Sequence, residues 1–199
     1  GTHFDAVRRS ISEAISESGM EKYIDIEEDP HWLSININSG MLFAKDSASV
    51  LAASRPVIAR IAVALSNINN YIRVRGYTDN TFIPNGIFRN SWDLSANRSV
   101  SVLEELEKAG IEPERMAVEA FGQFSNKYSN KTAAGRALNR KVVIAISRYA
   151  MERKPEQEVT SMPQNNSAQT GEVSGTAGSS DIEVVRGEGN SIELNFNQK

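Results

Sequence analysis

Apolar residues recur along the first 150 positions with a period that switches between helix and strand. Phe4, Val7, Ile11, Ala14 and Ile15 fall on one helical stripe, and Gly19 stands where a terminating glycine would, which predicts an amphipathic helix over residues 4–19. Residues 23–27 and 33–38 alternate apolar and polar positions around Glu28-Asp29-Pro30, the pattern of a hairpin of half-buried strands. A second helical stripe, Val57, Ile58, Ile61, Ala62, Leu65 and Ile68, contains Pro56, which a helix tolerates only in its first turn, so the helix starts near Ser54. Residues 71–77 alternate again and end at Gly76-Tyr77-Thr78-Asp79. Val102, Leu103, Leu106 and Ala109 predict a helix over 95–109, with Ser95 as N-cap and Gly110 past its end. Residues 116–121 and 141–146 read as two further strands. The order α-β-β-α-β-α-β-β, with strand–helix–strand crossovers, predicts an α/β fold: a two-layer α/β sandwich, its mixed β-sheet carrying helices on one face.

After residue 150 the pattern fades. Ser, Asn, Gln, Glu, Thr and Gly dominate residues 152–180, with too few large apolar side chains to offset the entropy of ordering, so a flexible tail is expected over 150–199. Residues 181–196 alternate weakly and hold the one strand signal in that region.

A net charge of −3, with 22 basic residues scattered among 25 acidic ones, supplies no basic patch for nucleic acid. The absence of Cys and the presence of only two His, His3 and His31, argue against a metal cluster, and no cofactor is expected. The longest apolar region, 50–65, is broken by Arg55, Pro56 and Arg60, short of the roughly 18–20 residues that span a bilayer. With Gly1-Thr2 at its start, the sequence reads as a piece of a longer chain.

The chemistry concentrates between Gly76 and Arg98, where one carboxylate, Asp79, and one guanidinium, Arg98, stand at the two ends of a single loop. An acid and a base facing one pocket suit a zwitterion, because an Arg fork on a carboxylate makes paired charge-assisted hydrogen bonds. Each residue also has a structural reading. Asp79 could cap a turn, Arg98 could pair with Asp93 or Glu104, and Asn139 and Arg140 could brace a strand end. Phe43, Trp92 and Leu94 read as packing residues, Leu94 with a possible place in a pocket wall, and Asp46 is a weaker candidate for ligand contact. No acid–base carboxylate pair or activated nucleophile of an enzyme is visible.

Four ordered motifs carry a family resemblance: Gly76-Tyr77-Thr78-Asp79, Leu94-Ser95-x-x-Arg98, Phe121-Gly122, and the run Gly135-Arg136-Ala137-Leu138-Asn139-Arg140-Lys141-Val142. Together they resemble the OmpA-like peptidoglycan-binding domain, and residues 88–95 with the loop before them look like the periplasmic domain of the flagellar stator B subunit, the MotB and PomB group. The resemblance implies a helix and strand of the stator linker region over 1–32, an OmpA-like domain over 33–149, and the tail beyond. It further implies a non-catalytic domain that holds peptidoglycan through Asp79, Arg98, Thr78, Leu94 and Arg140. A homodimer, an A-type stator subunit engaged through a membrane segment outside this sequence, and a periplasmic location follow from the same likeness, as does the alternative of another OmpA-like wall anchor. Three positions depart from the family: His is common where Tyr77 stands, Ala where Ser99 stands, and Arg where Lys141 stands. The last would lose a bidentate fork if that side chain met the ligand.

Overall fold

The computed structural model describes residues 3–158, 182–186 and 192–196. The chain divides into two compact units, Gly1–Lys154 and Pro155–Lys199. The first unit opens with helix α1, His3–Ser18, followed by strands β1, Ile24–Glu28, and β2, Trp32–Asn38. A short helical turn α2, Ser39–Leu42, and a 3-10 turn lead to helix α3, Arg55–Leu65, and strand β3, Asn70–Tyr77. Helix α4, Ser91–Lys108, strand β4, Met116–Gly122, helix α5, Ala133–Asn139, and strand β5, Lys141–Ala150, complete it.

The five strands form one sheet in the order β1-β2-β5-β3-β4, parallel only between β3 and β4. The β3–α4–β4 crossover therefore gives the expected parallel pair. The β2–α3–β3 crossover also returns in the parallel direction, but β5 lies between its two strands and pairs antiparallel with both. Register sets which side chains go inward: Ile35, Ile144 and Val74 lie in one row across the sheet, and Leu33, Ile146 and Ile72 in the next. These residues join Val7, Ile11 and Ile15 of α1, Val57, Ile58, Ile61 and Leu65 of α3, and Val102 and Leu106 of α4 in one core. The opposite sheet face carries the alternate positions, among them Arg75, which bonds Glu119 at 3.1 Å and lies over the Trp32 ring.

The helix boundaries show where local signals held. Ser54 precedes α3 and Pro56 sits in its first turn, where its missing N–H costs nothing. Gly19 and Gly110, both at positive φ, follow α1 and α4. The start of α4 differs from the expectation. Its N-cap is Asn90, whose side-chain oxygen accepts from Asp93 N at 2.8 Å, and Ser95 lies inside the helix. Ser95 instead turns its hydroxyl to Trp92 O and accepts from Gly122 N at 3.0 Å, tying α4 to the end of β4. Helix α5 carries no apolar stripe and is set by Thr132 as N-cap.

Helix α4 crosses β3 at Gly76. A Cβ there would collide with Ser95 O and Ser99 Oγ, so only a glycine lets the helix lie this close. Ser99 is fully buried and donates to Ser95 O at 2.8 Å, so its hydroxyl leaves no unsatisfied group in the contact.

In the second unit, strands β6, Ile182–Arg186, and β7, Ile192–Phe196, pair antiparallel and coincide with the weak alternation in the sequence. Of the tail expected to be flexible, 150–199, residues 159–181, 187–191 and 197–199 lie outside the described residues.

Gly76→Ala is expected to destabilise the fold by about 1–3 kcal/mol, the range for overpacking a close contact. Urea unfolding should show a lower midpoint at unchanged slope. A midpoint equal to wild type would mean that α4 can withdraw from β3 without loss.

Candidate functional site

The end of β3, the first turns of α4 and the loop after α2 enclose a groove of about 510 Å³. Thr78, Asp79, Leu94, Arg98 and Arg140 all line it, together with Phe43, Asp46 and Thr81. Every residue singled out for binding in the sequence thus reaches one cavity, from three separate parts of the chain.

Asp79 follows the β3 strand end and is held by its neighbours. Thr78 N donates to Gly122 O at 2.8 Å, fixing the turn against β4. Asp79 is only 3% exposed. Its Oδ1 accepts from Thr81 N at 2.8 Å and Thr81 Oγ1 at 2.6 Å, and its Oδ2 forms an ion pair with Arg140 Nη1. Burial opposes its ionisation, but the Thr81 and Arg140 hydrogen bonds outweigh burial and hold the carboxyl below the usual carboxylate range. Asp79 is therefore both a turn residue and a charged wall of the groove. Arg140, at the junction of α5 and β5, braces this carboxylate rather than its own strand end, while Asn139 bonds Tyr128 and Asn130 of the preceding loop.

Arg98 is 7% exposed and projects from α4 on the same side as Leu94, four residues earlier. Its Nε donates to Ser47 O at 2.8 Å and its Nη2 to Ala44 O at 3.4 Å, and the guanidinium lies 5.1 Å from the centre of the Phe43 ring. Ser101 on the same helix donates to Ala48 O at 2.6 Å. Helix α4 thus holds the 44–48 loop by its carbonyls. Asp46 in that loop has φ of 56°, a left-handed conformation that Asp tolerates better than most side chains. Burial lowers the basicity of Arg98, and the charges of Asp46 and Asp79 partly restore it.

Three expectations are corrected. Arg98 is not in the first turn of its helix, because α4 starts at Ser91; there Asn90 Oδ1 accepts from Asp93 N, and the Asp93 carboxylate accepts from Arg89 N, which precedes the helix. Neither Asp93 nor Glu104 pairs with Arg98: Asp93 pairs with Arg89. Trp92 does not pack into the core: half of it is exposed, and its ring rests on Phe124 at the surface.

The contribution of the 44–48 loop was missed in the sequence. Only Asp46 was suspected, because a loop acting through its backbone carbonyls leaves no side-chain signal. The departures at Tyr77 and Lys141 lie away from the groove, on the open sheet face, where Tyr77 stacks on Phe121 and Lys141 Nζ lies 4.9 Å from the Tyr77 ring centre.

The OmpA family matches residues 42–140. Motility protein B of Bacillus subtilis is 27% identical over 142 residues, covering 70% of this chain and 54% of that protein. Peptidoglycan-binding protein ArfA of Mycobacterium tuberculosis is 32% identical over 117 residues, covering 57% of this chain and 35% of that protein. The chain thus spans about a third to a half of these curated relatives. Among solved structures, the cell wall anchor of the type VI secretion system from Pseudomonas aeruginosa has a TM-score of 0.64 at 27% identity, covering 69% of this chain and 96% of that one. A putative MotB-like protein from Desulfovibrio vulgaris has the same TM-score at 26% identity, covering 73% and 96%.

The lowered Asp79 ionisation fixes a pH dependence. Because its folded-state value lies below the unfolded one of about 3.9, its ionised form stabilises the fold above that pH and loses this contribution as pH falls through the folded value. Asp79→Asn should therefore be less stable than wild type at neutral pH, and the gap should narrow in acid, as pH falls below the ordinary carboxyl range. Urea midpoints at the two pH values measure it, and a gap that persists unchanged in acid would show that the carboxylate charge is not what stabilises the site.

Proposed function

We propose, on the premise that residues 42–140 of this chain are an OmpA-family domain homologous to MotB periplasmic domains in sequence and structure, that the groove binds peptidoglycan and that the domain is a non-catalytic anchor to the cell wall. The observation that carries the reading is the pairing of a buried carboxylate and a buried guanidinium across one groove.

The diaminopimelate side chain of a stem peptide ends in an ammonium and a carboxylate. Arg98 has only two N–H donors engaged by the protein among the described residues, which leaves others to receive the ligand carboxylate. Each carboxylate oxygen of Asp79 has two lone-pair directions, so Oδ2 can accept a ligand ammonium beside Arg140. Hydrogen bonds to charged groups contribute about 1.5–3 kcal/mol each, enough for one such end group to anchor a polymer that repeats it many times. Thr78 and Leu94 shape the groove between the two charges.

Within this class the favoured role is the periplasmic anchor of a flagellar stator B subunit, dimeric, fixed to the inner membrane by a helix outside this sequence and paired there with an A-type subunit, so that ion flow turns the rotor. The similarity to a motility protein B supports it. The equal TM-score of the secretion-system wall anchor supports a second reading, a wall anchor of another envelope machine. Upstream sequence separates the two: a single apolar helix bearing an Asp favours the stator, and a lipid-modified Cys or a β-barrel excludes it.

Asp79→Asn and Arg98→Lys should each lose co-sedimentation with purified diaminopimelate-type sacculi while keeping the wild-type circular dichroism spectrum. Lys retains the charge of Arg98 but not its planar fork, so the 44–48 loop keeps a cation. Retention of sedimentation by both variants would refute the binding role.

A further inference from the structure

The charges lining the groove do not cancel. Lys45, Arg98 and Arg140 are cations and Asp46 and Asp79 are acids, an excess of one positive charge, whereas the end group of a diaminopimelate side chain is neutral. Lys45 and Asp46 are neighbours on the exposed 44–48 loop. The rest is an array in which one acid, Asp79, serves two guanidiniums, and its ion pair with Arg140 runs through one nitrogen alone. A carboxylate commonly meets an arginine with both oxygens, in two parallel hydrogen bonds. Here Oδ1 of Asp79 is taken by Thr81 N and Thr81 Oγ1, so only Oδ2 meets Arg140 Nη1 and the Arg140 fork stays half used.

Arg140 is placed to use the other half. Its N donates to Arg136 O at 3.1 Å and its O accepts from Ser39 N at 2.9 Å, so its backbone is held between α5 and the end of β2. Its side chain is 42% exposed against 4% for that of Asp79, and its Nε and Nη2 have no hydrogen-bond partner among the described residues. The acids on its far side are engaged elsewhere: Glu27 pairs with Lys127 at 2.9 Å, and Asp25 accepts from Asn36 Nδ2 at 2.9 Å. Beyond burial, the charge of Arg140 is among the influences that lower the basicity of Arg98, so the two guanidiniums repel each other across the groove. An anion with two negative ends relieves that repulsion.

We infer that Arg140 receives a second carboxylate and that the groove prefers a stem peptide ending at diaminopimelate over one that continues past it. Such a peptide presents a carboxylate, an ammonium and a second carboxylate, the complement of Arg98, Asp79 and Arg140. The inference rests on the proposed wall-binding reading and narrows its ligand. The side-chain carboxylate goes to Arg98 and the ammonium to the remaining lone-pair direction of Asp79 Oδ2. The main-chain carboxylate, joined to that end by a flexible run of methylenes, meets the open Nε–Nη2 edge of Arg140 with both oxygens. One more residue turns this carboxylate into an amide and carries the terminal charge roughly 3.3–3.6 Å outward. The overall charge of −3 disfavours the more anionic peptide, so a preference for it requires a local receptor.

The test is calorimetric titration of the full chain with three synthetic peptides: the tripeptide L-alanyl-γ-D-glutamyl-meso-diaminopimelate, its main-chain carboxamide, and the tripeptide acetylated on the side-chain amine. Wild type should bind the tripeptide about tenfold more tightly than the carboxamide, a comparison that needs no variant to fold. In Arg140→Lys, which keeps a cation against Asp79 without the fork, the ratio should fall to about threefold or less, and Arg140→Gln should bind the two equally. Equal affinity of wild type for tripeptide and carboxamide, with both bound more tightly than the acetylated peptide, overturns the second subsite and leaves the groove reading intact. A tenfold preference that survives in both Arg140 variants also overturns it. A preference lost in the Arg140 variants, together with undiminished binding of the acetylated peptide, upholds the subsite and overturns the reading of Asp79 as the ammonium receptor. Binding of none of the three overturns both.

Discussion

The site depends on how closely helix α4 lies on strand β3. Gly76 removes the one side chain that would separate them, and the buried Ser95 and Ser99 fill the contact with satisfied hydroxyls. That approach brings Arg98 and Leu94 to the flank of the strand end at which Asp79 emerges, so a guanidinium and a carboxylate distant by 19 positions in sequence share one cavity. It also lets Ser95 fasten Gly122, whose carbonyl in turn fixes Thr78. Backbone contacts thus set the geometry of the charges.

Arg98 carries two tasks at once. Its side chain is buried, an arrangement that costs desolvation and that the 44–47 carbonyls and the Phe43 ring offset. The same bonds make the loop part of the groove wall. On the proposed reading, a ligand carboxylate at Arg98 meets a cation already oriented, with little side-chain entropy left to lose. Asp79 is prepared in the same way by Thr81 and Arg140, and its charge persists at neutral pH despite its burial.

Much of this was legible in the sequence because local and long-range signals agree there. The alternation of β2 and β3 and the stripe of α3 match their buried faces, and Pro56 and Gly110 mark helix ends for the reasons that govern them in isolation. The start of α4 was misread because Ser91, Asp93 and Ser95 all resemble caps and the apolar stripe begins only at Leu94. The structure selects Asn90, the residue whose side chain reaches back to Asp93 N. Placement of β5 between β2 and β3 was not legible, since pairing of a C-terminal strand is a tertiary choice that no local pattern records. The Asp79–Arg140 ion pair joins residues 61 positions apart, and only the closed sheet shows it. Resemblance to a family assembled the five groove residues, while physical reading of single residues left each of them with a structural alternative.

The central claim is that this groove reads both charges of a zwitterionic end group. Titration of the full chain with meso-diaminopimelate and with Nα-acetyl-lysine methylamide, a lysine derivative that keeps the side-chain ammonium but has no carboxylate, tests it most directly by calorimetry or amide chemical shifts. Diaminopimelate is expected to bind about ten- to a hundredfold more tightly, the value of a charged hydrogen-bonded contact at Arg98, with the largest shifts at Asp79 and Arg98. Equal binding of the two compounds, or shifts confined to residues outside the groove, would contradict the account.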